Sequence, residues 1–370
     1  MKHLIWLLAA PTALQASPVQ LELERMLDDA PGIQYAFAST NDILYSYEGG
    51  KSDIFSGAIV ERETAFAGFS VTKTFTALAV LHLADQKKID LDAPLSLYLP
   101  GQAVRYDSGN ETSQPTVRQT LNHTAGFANP MPLRWIHRLD RPFHRQTWED
   151  SLLKEHAILK GRPGAKFAYS NVGYVALGRL IEAQSGLDYD EYIEKHILAP
   201  LQLRSDERLF FRTSSTPHGT GHAARWSPAT LLMSFLLSDE KILSNDSKSG
   251  WRTLQPVQMN GLAYGGLSGN HRGFIRYLQA MLKGDAPFTP QIRDALLSGD
   301  SLPVTLAWWR GDLNGEPYFS HAGGGGGFYA EIRLYPRLGR ASVLLLNRTG
   351  LTDARMLDRL DRFFIDRNAP

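Results

Sequence analysis

Ser70-Val71-Thr72-Lys73 opens a helix that runs through Phe75, Ala77, Leu78, Ala79, Val80, Leu81 and Leu83 and is apolar on nearly every side. A helix with no polar face is a buried helix. Residues three apart on a helix are neighbours, so the spacing puts the Ser70 hydroxyl beside the Lys73 amine. Lys73 is the only cation in the first turns of this segment, and burial disfavours its charged form. A neutral amine next to a serine can take the serine proton as the oxygen attacks a carbonyl. Backbone N–H groups at the helix start can stabilise negative charge on the substrate oxygen.

The same spacing recurs at Ser151 to Lys154 and at Ser238 to Lys241. Context separates the three. Ser151 follows Trp148-Glu149-Asp150 and its lysine precedes Glu155, the pattern of a charged surface helix. Ser238 lies in the charged run Ser238-Asp239-Glu240-Lys241 at the end of an apolar stretch. An isolated Ser-x-x-Lys otherwise reads as a serine N-cap with a snorkelling lysine.

With Lys plus Arg 39 against Asp plus Glu 38 and no long basic run, the chain offers nothing to draw a polyanion, and nucleic acid is excluded as a partner. The absence of cysteine rules out disulfides and thiolate chemistry. Met1-Lys2-His3, the apolar Leu4 to Ala10 and the small residues ending at Ala16 have the pattern of a short secretory signal over residues 1–16, which implies a periplasmic or secreted protein. That apolar stretch is too short to span a bilayer, and no other segment forms a stable membrane span.

The remainder, 17–370, reads as one domain of two lobes. A short helix at Leu21 to Asp29 precedes strands at Ile33 to Ser39 and Ile43 to Tyr47, joined by the turn signal Asn41-Asp42. A short strand from Ala65 to Gly68 leads to the Ser70 helix. From about Val117 to Leu203 helical periodicity dominates. Residues 204–260, around the apolar stretch Leu231 to Leu237, give no readable pattern. Strand signals return at Leu306 to Arg310, Tyr318 to His321, Tyr329 to Tyr335 and Ala341 to Leu346, before a final helix at Asp353 to Ile365. The fold class is therefore α+β: one mostly antiparallel sheet from the N- and C-terminal segments (about 31–70 and 300–370), flanked by helices, with an inserted all-helical lobe (about 75–260).

Two further motifs carry chemistry. Tyr169-Ser170-Asn171 precedes a helix, and a phenol near an ammonium loses its proton more easily and can relay protons. Asn171 can donate to a substrate carbonyl and accept from the lysine. Its plain structural reading is a turn and helix cap. His321-Ala322-Gly323 opens a run of five glycines ending at Gly327, followed by Phe328 and a strand. Glycines at a strand edge let another backbone approach closely, as when a substrate adds to the edge; otherwise they are a hairpin loop.

In this order and at wide separation, the three motifs resemble the serine beta-lactamase superfamily, in its class C branch with related D-alanyl-D-alanine carboxypeptidases and esterases. The resemblance runs from Pro31 to Asn347 and includes Leu121-Asn122-His123-Thr124-Ala125-Gly126-Phe127, Asp90-Leu91-Asp92-Ala93-Pro94-Leu95 and Tyr264-Gly265-Gly266-Leu267-Ser268. It implies an active site between the lobes, with neither metal nor organic cofactor. It also implies Ser70 as nucleophile, Lys73 as its partner, Tyr169 as proton relay, Asn171 as substrate contact, and Gly323 and Gly324 at an oxyanion hole shared with the Ser70 N–H. His321 falls where lactamases usually carry lysine. A neutral histidine lacks the fixed charge that attracts a substrate carboxylate, which favours esterase-like or peptidase-like substrates over anionic lactams.

The expected function is serine hydrolysis of an ester or amide in a small molecule or peptide through an acyl-serine intermediate. The alternative is a penicillin-binding-like sensor that traps an acyl group without releasing it. The sequence leaves open which of Lys73 and Tyr169 takes the first proton, and the oligomeric state.

Overall fold

Two hairpins almost three hundred residues apart in the chain join edge to edge in the computed structural model, which describes residues 16–365 apart from 100, 102, 131–134, 214, 228–229, 231–241, 245–246, 299–301 and 350–354. The sequence-predicted leader before residue 16, the stretch Leu231 to Leu237 and the Ser238 to Lys241 pair lie outside the described residues. The first hairpin is β1 (Gly32–Ser39) and β2 (Ile43–Gly50). The second group is β3 (Trp309–Leu313), β4 (Glu316–Gly325), β5 (Phe328–Tyr335) and β6 (Arg340–Leu346). They form a six-stranded sheet in the order β3-β4-β5-β6-β1-β2. Every neighbouring pair is antiparallel, and Ile33 of β1 sits opposite Leu346 of β6.

Side chains alternate across a strand, so each central strand feeds two layers. Ile33, Tyr35 and Phe37 share one layer with Leu344 and Leu346, while Ala36 and Ala38 share the other with Val343 and Leu345. Five helices frame these layers: α1 (Pro18–Met26), α2 (Thr72–Asp85), α3 (Asn171–Ser185), α4 (His271–Lys283) and α5 (Asp358–Ile365). α1 and α5 cover the first layer with Val19, Leu23, Met26 and Leu360. α4 lies on the second, presenting Phe274, Ile275, Leu278 and Met281. The strand read from Leu306 begins later, at Trp309, because Ala307 takes the left-handed conformation at φ 74 and turns the chain before it.

α2 runs through the centre of the larger core. Its residues Thr72 to Leu81 and Leu83 are all buried. The threonines all find backbone partners, one local and two on the segment that packs against the helix: Thr74 Oγ1 donates to the Val71 carbonyl at 2.9 Å, Thr76 Oγ1 donates to the Ala263 carbonyl at 2.6 Å, and Thr72 Oγ1 accepts from the Leu267 N–H at 3.1 Å. α3 and the short helix Leu262–Gly265 pack against it. α3 is stopped by Gly186 at φ 73. The insert is not purely helical. Ile136–Arg138 pairs with Val257–Met259, His222–Ala224 pairs with Trp251–Thr253, and Leu267–Gly269 lies between Phe66–Ala67 and Leu209–Phe211. Strands of two or three residues are too short for periodicity to mark. Among the described residues no helix is long and apolar enough to cross a membrane.

The layer under α5 contains a buried ionic cluster. Arg333 donates to Glu331 at 2.7 Å and to Asp358 at 2.7 Å. Asp361 accepts from Tyr35 at 3.0 Å, Tyr335 at 2.7 Å and Ser342 at 2.6 Å. Burial pushes the Glu331 and Asp361 carboxyls up, and Arg333 opposes that shift in both. Removing the guanidinium strands two buried carboxylates, a loss that typically costs about 3 to 5 kcal/mol. Arg333→Met is therefore expected to destabilise the protein by about that amount in urea unfolding, although it nearly preserves volume. A change below about 1 kcal/mol would mean that the cluster does not anchor α5.

Candidate active site

The chain enters the site through a strained turn. Phe69 stands at φ 46, a left-handed conformation rare for an aromatic residue, and begins the 3-10 turn Phe69–Val71 that runs directly into α2. The turn is held on both sides: the Gly68 N–H donates to the Leu267 carbonyl at 2.9 Å, and the Phe69 ring packs against Phe328 at 6.5 Å. β4 presses on it from above. A Cβ at Gly323 would stand 2.3 Å from the Gly68 carbonyl oxygen and 2.6 Å from the Ser70 nitrogen, so only glycine fits there.

Ser70 Oγ then meets two groups from different parts of the chain. Lys73 Nζ lies 3.1 Å away, and the Tyr169 hydroxyl donates to the same oxygen at 2.9 Å. Lys73 Nζ also donates to the Tyr264 carbonyl at 2.8 Å. It lies 5.0 Å from the Tyr169 ring centre and 5.4 Å from that of Tyr174. Tyr169 is placed by the loop before α3, whose Ser170 caps the helix by accepting from the Gly173 N–H at 3.2 Å.

Lys73 is 0% exposed, and among the described residues no carboxylate pairs with it. Burial pushes its pKa well below the ordinary lysine range. Burial likewise pushes the Tyr169 phenol up, the hydrogen bond to Ser70 opposing it only in part. Sequence reasoning has an ammonium lowering the phenol; the structure reverses the direction, because burial outweighs every other influence on Tyr169. The hydrogen-bond directions follow. Tyr169 keeps its proton and donates to Ser70 Oγ. Lys73 gives one N–H to the Tyr264 carbonyl, and once it sheds its extra proton a lone pair is left for that of Ser70.

Two histidines share this interior. His123 is buried, with Nδ1 accepting from the Ser170 N–H at 3.2 Å and its ring 4.4 Å from that of Tyr169. His321 is 1% exposed, and its Nδ1 lies 2.5 Å from the Ala307 carbonyl, which fixes the proton on Nδ1. Nε2 of each has no hydrogen-bond partner. Burial pushes both pKa values down, that of His321 to about 3, and a proton on Lys73 would push them the same way.

Of the sequence-predicted residues, Ser70, Lys73 and Tyr169 converge on one oxygen, and Gly323 lies against the Ser70 amide. Gly324 is one step further along β4, opposite Tyr329. Two placements differ from the sequence reading. Asn171 makes no hydrogen bond to Lys73: it begins α3, its N–H donates to Asn129 Oδ1 at 3.1 Å, its own Oδ1 has no partner, and Tyr264 supplies the lysine's acceptor instead. His321 is not at a substrate rim but inside, under β4 and beside Lys73. His123 and the Tyr264 carbonyl are missed as site residues by sequence reasoning; the signal for His123 was a single histidine in the otherwise apolar and small segment Leu121 to Phe127. Among the described residues no cluster of His, Asp or Glu is arranged to hold a metal ion.

Comparison with known proteins matches residues 21–364 to the family model described as Beta-lactamase. Penicillin-binding protein 4* of Bacillus subtilis (strain 168) is 28% identical over 194 residues, covering 50% of this chain and 40% of that protein. The chain thus spans well under half the length of the curated relatives it matches. The D-amino acid amidase of Ochrobactrum anthropi SV3 shares the fold at a TM-score of 0.71 and 18% identity, over 94% of this chain and 98% of that one. EstCE1, a hydrolase with promiscuous acyltransferase activity, does so at a TM-score of 0.70 and 18% identity, over 92% and 95%. With the family model spanning nearly the whole sequence and a six-stranded antiparallel sheet beside a helical insert, the chain belongs to the beta-lactamase family.

Proposed function

We propose that the protein is a serine hydrolase that cleaves an ester or amide through an acyl-serine intermediate. The observation that carries this reading is the pair of contacts on Ser70 Oγ, 3.1 Å from Lys73 Nζ and 2.9 Å from the Tyr169 hydroxyl. Lys73 takes the Ser70 proton as Oγ bonds to the substrate carbonyl carbon. The carbonyl electrons move to its oxygen, which the N–H groups of Ser70 and Gly324 hold. When the tetrahedral intermediate collapses, the bond to the leaving group breaks and Tyr169 gives it a proton, which Lys73 replaces. A water then attacks the acyl-serine by the same route in reverse. Asn171 and the edge of β4 at Gly323 and Gly324 position the substrate.

Buried, neutral His321 offers no charge that would attract a carboxylate on the leaving-group side, which supports substrates without one. A buried lysine at that position would place a second amine beside Lys73, with no carboxylate to balance it. The N-terminal signal pattern supports action outside the cytoplasm.

Ser70→Ala should abolish both turnover of a chromogenic short-chain ester and covalent labelling by a fluorophosphonate, while circular dichroism stays that of the wild type. Labelling that persists would remove Ser70 from its role, and a single burst without turnover in the wild type would favour the acyl-trapping alternative.

The neutral amine is the competent form, so kcat/KM should rise with pH as Lys73 loses its proton and then level off. Because burial lowers that pKa, the plateau should be reached below the ordinary lysine range. Lys73→Arg stays protonated and should lose about 10³-fold. A wild-type rate still climbing at about pH 10, where a free lysine titrates, would take the base role from Lys73.

Gly323→Ala forces β4 away from the Ser70 amide, since both crowding atoms are backbone. A displacement of about 1 Å at the reacting centre can cost about 10²-fold, so kcat should fall by about that factor with a smaller change in KM. Wild-type kcat in this variant would show that the contact between β4 and the nucleophile turn is not needed.

A further inference from the structure

The short helix Val117–Leu121 packs against α3 and ends at Asn122, after which His123 takes the left-handed conformation at φ 60. Histidine adopts this conformation more readily than most side chains. The turn is pinned by its own backbone: the His123 N–H donates to the Thr120 carbonyl at 3.3 Å, and the Thr124 N–H donates to the Gln119 carbonyl at 2.8 Å. The reversal brings two acceptors of His123 to one segment of chain. Its carbonyl accepts from the Ala168 N–H at 2.7 Å, and its Nδ1 accepts from the Ser170 N–H at 3.2 Å. These amides belong to the residues on either side of Tyr169, so both chain neighbours of the phenol are bonded to a single residue.

The ring adds a third contact. It lies 4.4 Å from the Tyr169 ring and 5.1 Å from that of Tyr174, between the two, and the Tyr174 hydroxyl is itself fixed to the Leu121 carbonyl at 2.9 Å. Because Nδ1 accepts, the imidazole proton sits on Nε2, which has no hydrogen-bond partner. The one hydrogen bond of this buried imidazole therefore goes to the segment that carries Tyr169. A charged ring would set an N–H of its own against the Ser170 N–H, and burial holds His123 away from that form. Phenylalanine could fill the same space but accept nothing. Asparagine could accept at nearly the same point and tolerate the left-handed backbone, but it has no ring to place between the tyrosines.

The Tyr169 hydroxyl is the far end of a lever whose base is this backbone, and it rests on Ser70 Oγ at 2.9 Å. A small swing of the peptide units at residues 168–170 is magnified at the phenol oxygen, and a misplacement of about 1 Å at reacting atoms can cost about 10²-fold. We infer that His123 is a positioning residue for proton transfer: by bonding both amides beside Tyr169 and backing its ring, it holds the phenol on Ser70 Oγ, from which the leaving group receives its proton. The inference rests on the acyl-serine reading above. His123 acts through Tyr169, so its importance follows the substrate's need for that proton. An alkoxide or an amine must be protonated as it departs, whereas an acidic phenol departs as its anion.

The test compares two esters of one acyl group with leaving groups of similar size, p-nitrobenzyl butyrate and p-nitrophenyl butyrate, by kcat/KM in the wild type, His123→Phe and His123→Asn. His123→Phe keeps a ring and loses the acceptor. It should lose about 10²-fold on the benzyl ester, whose alcohol needs the proton, and at least about tenfold less on the phenyl ester. His123→Asn restores the acceptor and should recover part of the loss on the benzyl ester. An equal loss on the two esters in His123→Phe, the mark of a merely structural residue, overturns the inference. Nitrogen-15 NMR of the wild-type histidines requires neither turnover nor a folded variant: His123 should carry its proton on Nε2, and a proton on Nδ1 overturns the inference. A crystal structure of His123→Phe separates the inference from the reading beneath it. If the wild type turns over neither ester while the Tyr169 hydroxyl leaves Ser70 Oγ in the variant, the hydrolase reading fails and His123 stands as the residue that positions Tyr169; a hydroxyl still within hydrogen-bond reach of Ser70 Oγ overturns the inference.

Discussion

A primary amine sealed in the protein interior without a counter-charge is the constraint around which the rest of the site is arranged. In water Lys73 would be an ammonium. Here it sits one turn into a helix whose other faces are all covered, and the groups it meets are a serine hydroxyl and a backbone carbonyl. A carboxylate in the same place would have restored its charge and removed its basicity. The neighbouring groups respect this economy of charge: Tyr169 keeps its proton, and His123 and His321 lie deep enough to stay neutral. The interior of the cleft therefore holds several titratable side chains whose charged forms burial disfavours, which suits it to a reaction in which charge appears only transiently.

Position is enforced by backbone more than by side chains. The left-handed Phe69 aims the Ser70 side chain, and β4 fixes the height of that turn because Gly323 leaves no room to move closer. Such strain is tolerated where the surroundings determine it, and here the Phe328 ring, the Leu267 carbonyl and the β4 backbone do so.

Much of this was legible from residues alone. The apolar surroundings of Ser70 separated it from Ser151, which lies exposed on the helix Arg145–Glu155 with its hydroxyl donating to the Thr147 carbonyl. The short runs Ile33 to Ser39 and Tyr329 to Tyr335, rich in aromatic and apolar residues and bounded by turn signals, marked strands because strands buried on both faces need such side chains. What escaped depends on contacts distant in sequence. Nothing local reveals that the Tyr264 carbonyl, rather than Asn171, completes the lysine's hydrogen bonds, or that His321 turns inward to Ala307. The two- and three-residue strands of the insert have no period to detect.

The pairing of β1 with β6 has a consequence for the chain as it is being made. β1 leaves the ribosome early, yet the strand that covers its inner edge begins only at Arg340. Until then the edge of β1 is bare, and its buried residues Ile33, Tyr35 and Phe37 lack their layer. Contacts this distant in sequence slow folding and leave intermediates prone to wrong association. The nucleophile, the phenol and the glycine strand likewise come from successive thirds of the polypeptide, so no nascent fragment holds a complete site. Synthesis of almost the entire chain must precede any chemistry, a built-in delay that keeps a reactive serine from being armed before its enclosure exists.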